Sequence, residues 1–294
     1  MSTPASLSVT HTSTVTADQI DELGHMNVRW YGANAVAATE ALCGQLAIVT
    51  PPYASTYTRH HHEQLEGNEL EVRSGVLAEA DGAGTGQLRF FHELRNQAND
   101  DLAATFVHTL DHGPIEIPGL AIPEYGLART IDLSADRLAT APTLAEVQRR
   151  ELATRLERLV NTEDSMGASI VPPWLVNNLL WGGERADGKD SWIVDTADGD
   201  RCAFASMETR LQMTGDVSVG TRIQSFGASI AVGSKIVHAL NWVYDLGNEE
   251  LLAVAETVDL AFSIPNRSSR VMAPEVRSRE EARLHPDLDR RVDG

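Results

Sequence analysis

Hydrophobic and polar residues alternate with a period of two along several segments in both halves of the chain. The clearest of these segments are residues 88–94, 102–110 and 236–244. This period is typical of β-strands with two distinct faces. Because strand follows strand without intervening helical periodicity, the pattern predicts a mainly antiparallel sheet and an α+β fold.

A helical pattern begins at Val28. From there, apolar or small residues recur at Tyr31, Ala35, Leu42 and Leu46, and further small residues fill much of the remainder. A helix so rich in alanine can be approached closely from most sides, as a buried central helix must be. The sequence therefore predicts a long central helix here, and another helix in the corresponding part of the second half.

The segment over residues 112–142 lacks sustained periodicity and is interpreted as a connector. It is rich in proline, with Pro114, Pro118, Pro123 and Pro142. After it, Thr143 and Glu146 have the spacing of a capping box. Apolar residues then recur at roughly helical intervals and predict a helix that includes Leu144, Val147, Leu152, Leu156 and Leu159. The tail after residue 270 mixes charges of both signs and is predicted to be an extended or partly mobile segment.

Three short motifs of the first half recur in the same order in the second half. The matching segments are Asp21–Gly24 with Asp164–Gly167, Gly67–Val72 with Gly220–Ser225, and Asn99–Leu102 with Asn248–Leu251. Their separations are similar, as expected if loop insertions distinguish two copies of one domain. The predicted parts are a first domain over 1–112, a connector with the start of a helix over 113–150, a second domain over 151–270 and a C-terminal tail over 271–294.

Composition narrows the functional classes. The chain has 294 residues, enough for two domains, and its net charge of −18 argues against non-specific binding of nucleic acid. Its apolar runs are too short to span a bilayer and its N-terminus lacks a secretory signal, so a cytoplasmic protein without membrane insertion is predicted. Cys43 and Cys202 lie far apart, in no metal or redox spacing; two buried free thiols are predicted in preference to one disulfide.

The stretch from Asp21 to Asn27 is an acidic, glycine-containing loop that leads into the predicted helix. Helix N-termini expose unpaired N–H groups, which can hold a carbonyl oxygen that becomes negative during acyl transfer. The backbone N–H groups of Gly24 and His25 are the candidate donors, and Gly24 lets a ligand approach the backbone closely. Asp21 supplies either a nucleophile or a base for water.

Residues 21–27, with the sequence DELGHMN, resemble the D-x-x-G-H-x-N signature of the 4-hydroxybenzoyl-CoA thioesterase branch of the hotdog superfamily. The resemblance covers most of residues 7–112. It implies a long helix wrapped by an antiparallel sheet, and hydrolysis of an acyl-CoA thioester without a metal or an organic cofactor. It also implies that Asp21 is the catalytic carboxylate and that His25 and Asn27 are the other catalytic positions.

The second half keeps only part of this signature. Asp164 and Gly167 are retained, whereas Ala168 and Ile170 stand where the histidine and the asparagine would be. The pair Pro172-Pro173 would also delay or reshape the helix that follows. The sequence therefore predicts a second-half site that is altered from the pattern.

Hotdog domains usually work in pairs, so the resemblance implies two tandem hotdog domains paired as an intrachain pseudo-dimer. Second-half residues would then line the pocket that contains Asp21, with Trp174, Trp242 and Glu163 as candidates. Association of such chains into a homo-oligomer is left open. The first half departs from the family pattern at Gln19, where many members have aspartate, and at Val28, where many have a second asparagine; the acyl group stays open.

Structural roles compete with these assignments. Asp21 and Asn27 are both favoured helix caps, and His25 could orient the loop. His60–His62 could suggest a metal site, but alternation along a strand separates His61 from its neighbours, so satisfied or surface histidines are favoured. Five arginines are candidates for binding the phosphates of CoA: Arg29, Arg59, Arg73, Arg89 and Arg267.

Thioester hydrolysis is the main functional hypothesis from the sequence. A non-catalytic acyl-CoA-binding module is one alternative, because the second half is altered. A hotdog hydratase or dehydratase is another and ranks lower, because the chain shows no convincing Asp-x-x-x-x-His motif.

Overall fold

The computed structural model describes residues 6–78, 87–113, 115, 119–150, 152–182, 184, 186 and 193–290. The chain divides into two compact units, Met1–Arg129 and Thr130–Gly294. The division falls inside the segment 113–150 that the sequence predicts as a connector. Two prolines of that segment, Pro114 and Pro118, lie outside the described residues.

The first unit contains one long helix and five strands. In chain order these are β1 (Ser8–Thr14), α1 (Val28–Gln45), β2 (Tyr53–His60), β3 (Glu69–Val76), β4 (Leu88–Asn96) and β5 (Leu102–Leu110). The strands pair antiparallel in the order β1-β3-β4-β5-β2. Helix α1 lies against β1, β3, β4 and β5. The long helix and both strands predicted for the first half are confirmed.

Small side chains let α1 pack closely on its sheet. Ala35 and Ala38 are fully buried, and Tyr31 is 4% exposed. These residues form one apolar core with side chains from β3, β4 and β5, among them Leu70 and Phe106. Because full burial of one large apolar side chain stabilises a fold by about 1.5–3 kcal/mol, this shared face is the main attachment of the helix.

The second unit is built from strands with short helices. In chain order the elements are α2 (Leu144–Arg149), β6 (Ala153–Thr154), β7 (Arg158–Leu159), α3 (Val176–Trp181), β8 (Val194–Asp195), β9 (Arg201–Met213), β10 (Arg222–Val232), β11 (Ile236–Asp245), β12 (Leu251–Ser263), β13 (Ser268–Ser269) and α4 (Pro274–Glu281). The four long strands pair antiparallel in the order β9-β12-β11-β10. Strands β6 and β7 pair with β10, β8 with β9, and β13 with β12. The predicted strand over 236–244 is confirmed as β11.

The prediction of a long central helix in the second unit is wrong. Helix α3 has six residues and follows a single 3-10 turn at Pro173–Leu175. The pair Pro172-Pro173 lacks two N–H donors, which delays the start of the helix. Helix α3 ends at Trp181, and Gly182 after it has extended backbone geometry.

The helix predicted after Thr143 is also much shorter than expected. The Thr143 hydroxyl accepts the N–H of Glu146 at 3.2 Å, so this cap is confirmed, but α2 ends at Arg149. The Glu146 side chain pairs with arginines instead of closing the capping box. Residues 153–159 contribute β6 and β7, because pairing with β10 satisfies their backbone groups at that sheet edge. Leu156 and Leu159 are exposed rather than on a buried helical face.

The described part of the C-terminal tail is folded, so the prediction of an extended or partly mobile segment is wrong. It contains α4 and a 3-10 turn at Pro286–Leu288. Met272, Val276 and Leu288 are each less than 5% exposed. These apolar side chains, spaced among the charges, attach the tail to the second unit.

The three repeated motifs have matching backbone conformations in the two units. The φ angle is +82° at Gly24 and +88° at Gly167. It is +80° at Gly67 and +91° at Gly220, just before β3 and β10. These left-handed conformations favour glycine, and their recurrence at corresponding places supports a duplicated domain.

The hairpin turns of the two units also match. Asp100 has φ +58° in the turn between β4 and β5, and Glu249 has φ +62° in the turn between β11 and β12. In each turn an asparagine side chain, Asn99 or Asn248, accepts the N–H of the residue two positions later, at 3.1 and 3.0 Å. The third repeated motif is therefore the same turn in both units.

Replacing Gly67 or Gly220 by alanine should lower the free energy of unfolding by about 1–2 kcal/mol, because a β-carbon disfavours their left-handed backbone. No atom lies within 4 Å of the β-carbon that alanine would add at either position, so packing does not contribute. The measurement is urea unfolding followed by circular dichroism. Gly44→Ala is the matched control: it lies in α1 with equally open space and should be neutral or stabilising. Unchanged midpoints for both turn variants would contradict the expectation.

Candidate active site

The loop before α1 is closed by its own backbone hydrogen bonds. The Asp21 N–H donates to the His25 carbonyl at 2.9 Å, and the Gly24 N–H donates to the Asp21 carbonyl at 3.0 Å. Met26, which follows, is 1% exposed and belongs to the core of the first unit. The loop is thus a tight turn on a buried base, which holds the Asp21 and His25 side chains in a defined place.

Asp21, His25 and Glu63 form a row of side chains. Asp21 Oδ2 lies 3.2 Å from His25 Nδ1, and Glu63 Oε1 lies 3.6 Å from His25 Nε2. The side chains of Asp21 and His25 are 12% and 15% exposed, whereas that of Glu63 is 51% exposed. Asp21 Oδ1 also accepts the N–H of Leu23 at 2.9 Å. A carboxylate fixed on one ring nitrogen orients a histidine so that the other nitrogen can exchange protons.

Glu63 is a site residue that the sequence did not predict. It lies after β2, and its neighbour Gln64 accepts the N–H of Met26 on its backbone carbonyl at 2.7 Å. The Gln64 side chain is held in turn by the Asn96 amide at 3.0 Å. In the sequence, Glu63 is only an acidic residue directly after three histidines, and no spacing there indicates its approach to His25.

The two predicted oxyanion donors differ in the structure. The Gly24 N–H is already engaged within the loop, whereas the His25 N–H has no acceptor among the described residues. Asn27 caps α1, because its side-chain oxygen accepts the Arg29 N–H at 3.1 Å. The start of α1 therefore offers the His25 N–H and the positive end of the helix dipole beside Asp21.

Tyr31 lies next to this row on the first turn of α1. Its hydroxyl donates to the His62 carbonyl at 3.3 Å, and its ring packs edge-on against His60, with 5.1 Å between the ring centroids. Burial, together with the nearby negative charges of Glu63 and Asp21, raises the pKa of Tyr31. Tyr31 is therefore a neutral hydroxyl that closes one side of the site.

The three consecutive histidines make separate contacts. Burial lowers the pKa of His60 and of His61 to about 4, so both are neutral at neutral pH. His61 Nε2 lies 3.5 Å from the Thr105 hydroxyl, and His62 Nδ1 donates to the Leu102 carbonyl at 2.9 Å. Within the described part of the chain, no three histidine, cysteine or acidic residues are arranged to hold a metal ion.

The corresponding loop of the second unit has a different partner for its carboxylate. Asp164 Oδ2 lies 2.6 Å from Arg158 Nη1 and also accepts the Asn161 N–H at 2.9 Å. Ala168 follows Gly167 where His25 follows Gly24. A guanidinium carries a permanent positive charge, so Asp164 is paired with a fixed cation, and this loop lacks the histidine partner that Asp21 has.

Several residues predicted to bind substrate have structural contacts. Arg59 donates to the carbonyls of Tyr125 and Leu127, and Arg73 pairs with Glu71 and Asp100. Trp242 is 1% exposed in the core of the second unit. Arg29 lies over the Trp30 ring. Of the other predicted residues, Arg89 and Trp174 are half-buried, and Glu163 and Arg267 are exposed.

Comparisons with known proteins find similar folds among solved structures but no match at the level of sequence. No model of a known protein family matches the chain, and no curated protein matches its sequence. A 12:0-ACP thioesterase from Umbellularia californica aligns with a TM-score of 0.59 at 10% identity, over 86% of this chain and 93% of that one. An acyl-ACP thioesterase from Bacteroides thetaiotaomicron aligns with a TM-score of 0.55 at 7% identity, over 86% and 97%.

A conserved hypothetical protein of Mycobacterium tuberculosis, described as having a double hotdog fold, aligns with a TM-score of 0.51 at 13% identity. The alignment covers 88% of this chain and 97% of that one. The likeness shows that this chain has the hotdog fold, which confirms that part of the expectation; the pairing of the two units stays a prediction. No helix among the described residues is long and apolar enough to cross a membrane.

Removal of the Asn27 side chain should destabilise the start of α1. Asn27→Ala loses the cap on the Arg29 N–H and should lower the free energy of unfolding by about 1 kcal/mol. Asn27→Ser is the matched control, because serine keeps a side-chain oxygen that caps helices equally well. Thermal or urea unfolding would measure the difference; equal stability of the two variants would show that the capping bond contributes nothing.

Proposed function

We propose that this hotdog chain hydrolyses acyl thioesters, with an acyl-CoA as its substrate. The observation that carries the proposal is the pairing of a shielded carboxylate, Asp21, with His25 at the start of α1, beside an N–H that has no acceptor among the described residues. The names of two structural neighbours, both acyl-ACP thioesterases, support thioester chemistry. The choice of CoA as the thiol carrier rests on the sequence resemblance of residues 21–27.

The reaction adds water across the bond between the acyl carbon and sulfur. In one route, an Asp21 oxygen attacks the acyl carbon and forms an acyl–aspartyl anhydride. The C–S bond breaks, and the leaving thiolate takes up a proton from His25 or from water. Water then cleaves the acyl–aspartyl anhydride and regenerates the carboxylate. In the other route, Asp21 accepts a proton from a water molecule that attacks the acyl carbon directly. The C–S bond then breaks, and the thiolate leaves and takes up that proton from Asp21 by way of His25 or water, which regenerates the carboxylate.

Both routes place negative charge on the carbonyl oxygen. The His25 N–H and the N-terminal end of α1 would stabilise that charge, since donors fixed before the reaction need not reorganise during it. Asn27 contributes by fixing where the helix starts. His25 lies between two carboxylates and is suited to move a proton between the reacting atoms and the loop.

Glu63 is proposed as a positioning residue. It acts on the reaction through His25, because its carboxylate lies on the Nε2 side of the ring while Asp21 lies on the Nδ1 side.

Four expectations from the sequence stay predictions. They are the pairing of the two units as an intrachain pseudo-dimer, the domain limits, the association of chains and the cytoplasmic location.

Asp21→Asn keeps the shape of the side chain and removes its charge. The rate of thiol release from the best acyl-CoA should fall by about 10²- to 10⁴-fold, the range typical of a lost acid–base group. Asp164→Asn, the matched control in the second unit, should leave the rate within about twofold, because Asp164 already pairs with Arg158. The assay follows free thiol across a panel of acyl-CoAs, after circular dichroism has shown that both variants fold.

Equal losses of about half the activity would show two independent working sites and contradict this assignment. Binding of acyl-CoAs by the wild-type chain without any thiol release would contradict the proposed hydrolysis and favour a binding module. Release of thiol only from acyl-ACP would keep the chemistry and replace the carrier.

Glu63→Gln should lower kcat by about tenfold, less than the loss of a group that itself exchanges protons, and should leave KM within about twofold. The reason is that His25 loses one of the two carboxylates that orient it, while the substrate contacts do not change. Glu66→Gln is the matched control, because Glu66 is an exposed acid three residues further along the chain. A rise in KM at constant kcat would assign Glu63 to substrate binding, and an unchanged kcat would remove it from the site.

A further inference from the structure

The second unit contains a cavity of about 250 Å³ on the sheet face that α3 covers. Helix α1 lies on β3, β4 and β5, and α3 lies on the corresponding strands β10, β11 and β12. Helix α1 has eighteen residues and α3 has six, so among the described residues α3 covers less of its sheet face than α1 covers in the first unit. Helix α4 from the tail closes part of the opening, and the cavity is the space that remains.

Uncharged polar groups without partners line this cavity. The hydroxyls of Ser225 and Thr154 are buried and have no hydrogen-bond partner among the described residues. Ser225 is 3% exposed, so its hydroxyl is also shielded from bulk water. Burial of a hydroxyl without a partner costs about 1–3 kcal/mol, a cost that a bound molecule with donor and acceptor groups would remove.

The Asn241 amide adds a third group of this kind. It lies over Gly227, where an added β-carbon would come within 2.5 Å of Asn241 Oδ1. None of the hydrogen bonds in the described part of the chain involves its side chain, and its residue lines the cavity. Glycine at position 227 therefore makes room for an amide that can both donate and accept toward a ligand.

The other residues that line the cavity are apolar or charged, and they indicate which chemical groups the rest of a ligand could carry. Trp181, Phe204, Val237 and Ala239 supply apolar surface. The charged groups already have partners: the Thr257 hydroxyl donates to Asp259 Oδ2 at 3.0 Å, and Glu280 pairs with Arg279 on its own helix. An ionic ligand would have to compete with these contacts, whereas an uncharged one would not.

We propose that this cavity is a binding site for a compact, uncharged molecule that carries a hydroxyl or amide group on a short apolar chain. The polar end contacts Ser225, Thr154 and Asn241, and the apolar part lies against Trp181 and Phe204. This proposal goes beyond thioester hydrolysis and does not depend on it, because the site lies within the second unit and is tested without an activity measurement.

The probes are hexanamide, hexanoate and hexylamine, which have similar size and differ in charge. Ligand-observed NMR with the full chain at pH 8 measures their affinities. Burial raises the pKa of Asp259 to about 6, so this carboxyl of the cavity wall is ionised at that pH. Hexanamide should bind at least about tenfold more tightly than either ion, since each ion would be desolvated without a free partner. Tighter binding of hexanoate or hexylamine would overturn the proposed ligand class.

Two variants test the location of the site. Ser225→Ala should weaken hexanamide binding about fivefold to tenfold, the effect of one lost hydrogen bond, without lowering the unfolding midpoint, because the hydroxyl has no partner to lose. Ala239→Leu should fill the cavity and abolish binding. Ser263→Ala is the matched control: its buried hydroxyl donates to Asp200 at 2.9 Å, so it should lower the midpoint and leave binding unchanged.

Absence of hexanamide binding to the wild-type chain would show that water alone occupies the cavity and would overturn the proposal. Binding that survives both Ser225→Ala and Ala239→Leu would place the probe elsewhere and overturn it equally. Loss of thioesterase activity in Asp21→Asn has no bearing on either result, so failure of this proposal and failure of the proposed function are distinguishable.

Discussion

The hydrogen bond from the Met26 N–H to the Gln64 carbonyl, 2.7 Å long, is the constraint on which the candidate site depends. It joins the loop before α1 to the segment after β2. Both residues are buried, at 1% and 2% exposure, and the Gln64 side chain is held by Asn96. His25 and Glu63 are the chain neighbours of these two residues, so their approach follows from this bond. Displacing the loop would leave a buried donor and acceptor unpaired, which costs more than a surface contact provides.

Sequence patterns predicted the elements that local interactions determine. Helix α1 begins where Asn27 caps it, and the strands follow the alternation of apolar residues. Prediction failed where distant backbone groups compete: residues 153–159 have helical spacing, yet the open edge of β10 offers partners for their N–H and C=O groups. Glu63 was missed for a related reason. Its approach to His25 depends on the hydrogen bond between Met26 and Gln64, which lie far apart in the chain, and a spacing pattern within one segment cannot show such a contact.

The two repeated loops show how one backbone supports two environments. Gly24 and Gly167 have the same left-handed conformation, and each follows an aspartate by three positions. The difference lies in one partner: His25 beside Asp21, and Arg158 beside Asp164. Histidine can gain and lose a proton near neutral pH, whereas arginine stays charged. A duplicated domain can therefore keep its loop geometry while only one copy keeps a group suited to proton transfer.

The polar side chains on the sheet faces that α1 and α3 cover also differ in their hydrogen-bond partners. In the first unit, the Thr39 hydroxyl on α1 contacts His92 Nε2 at 3.0 Å and His108 Nδ1 at 2.7 Å. Burial lowers the pKa of both histidines. Each is therefore a neutral ring with one donor and one acceptor nitrogen, and the Thr39 hydroxyl contacts one nitrogen of each ring. In the second unit, the short α3 provides no such partner for the Ser225 hydroxyl or the Asn241 amide. The second unit thus has both space and unpaired hydrogen-bonding groups beside its short helix, and a pocket for a small molecule requires both.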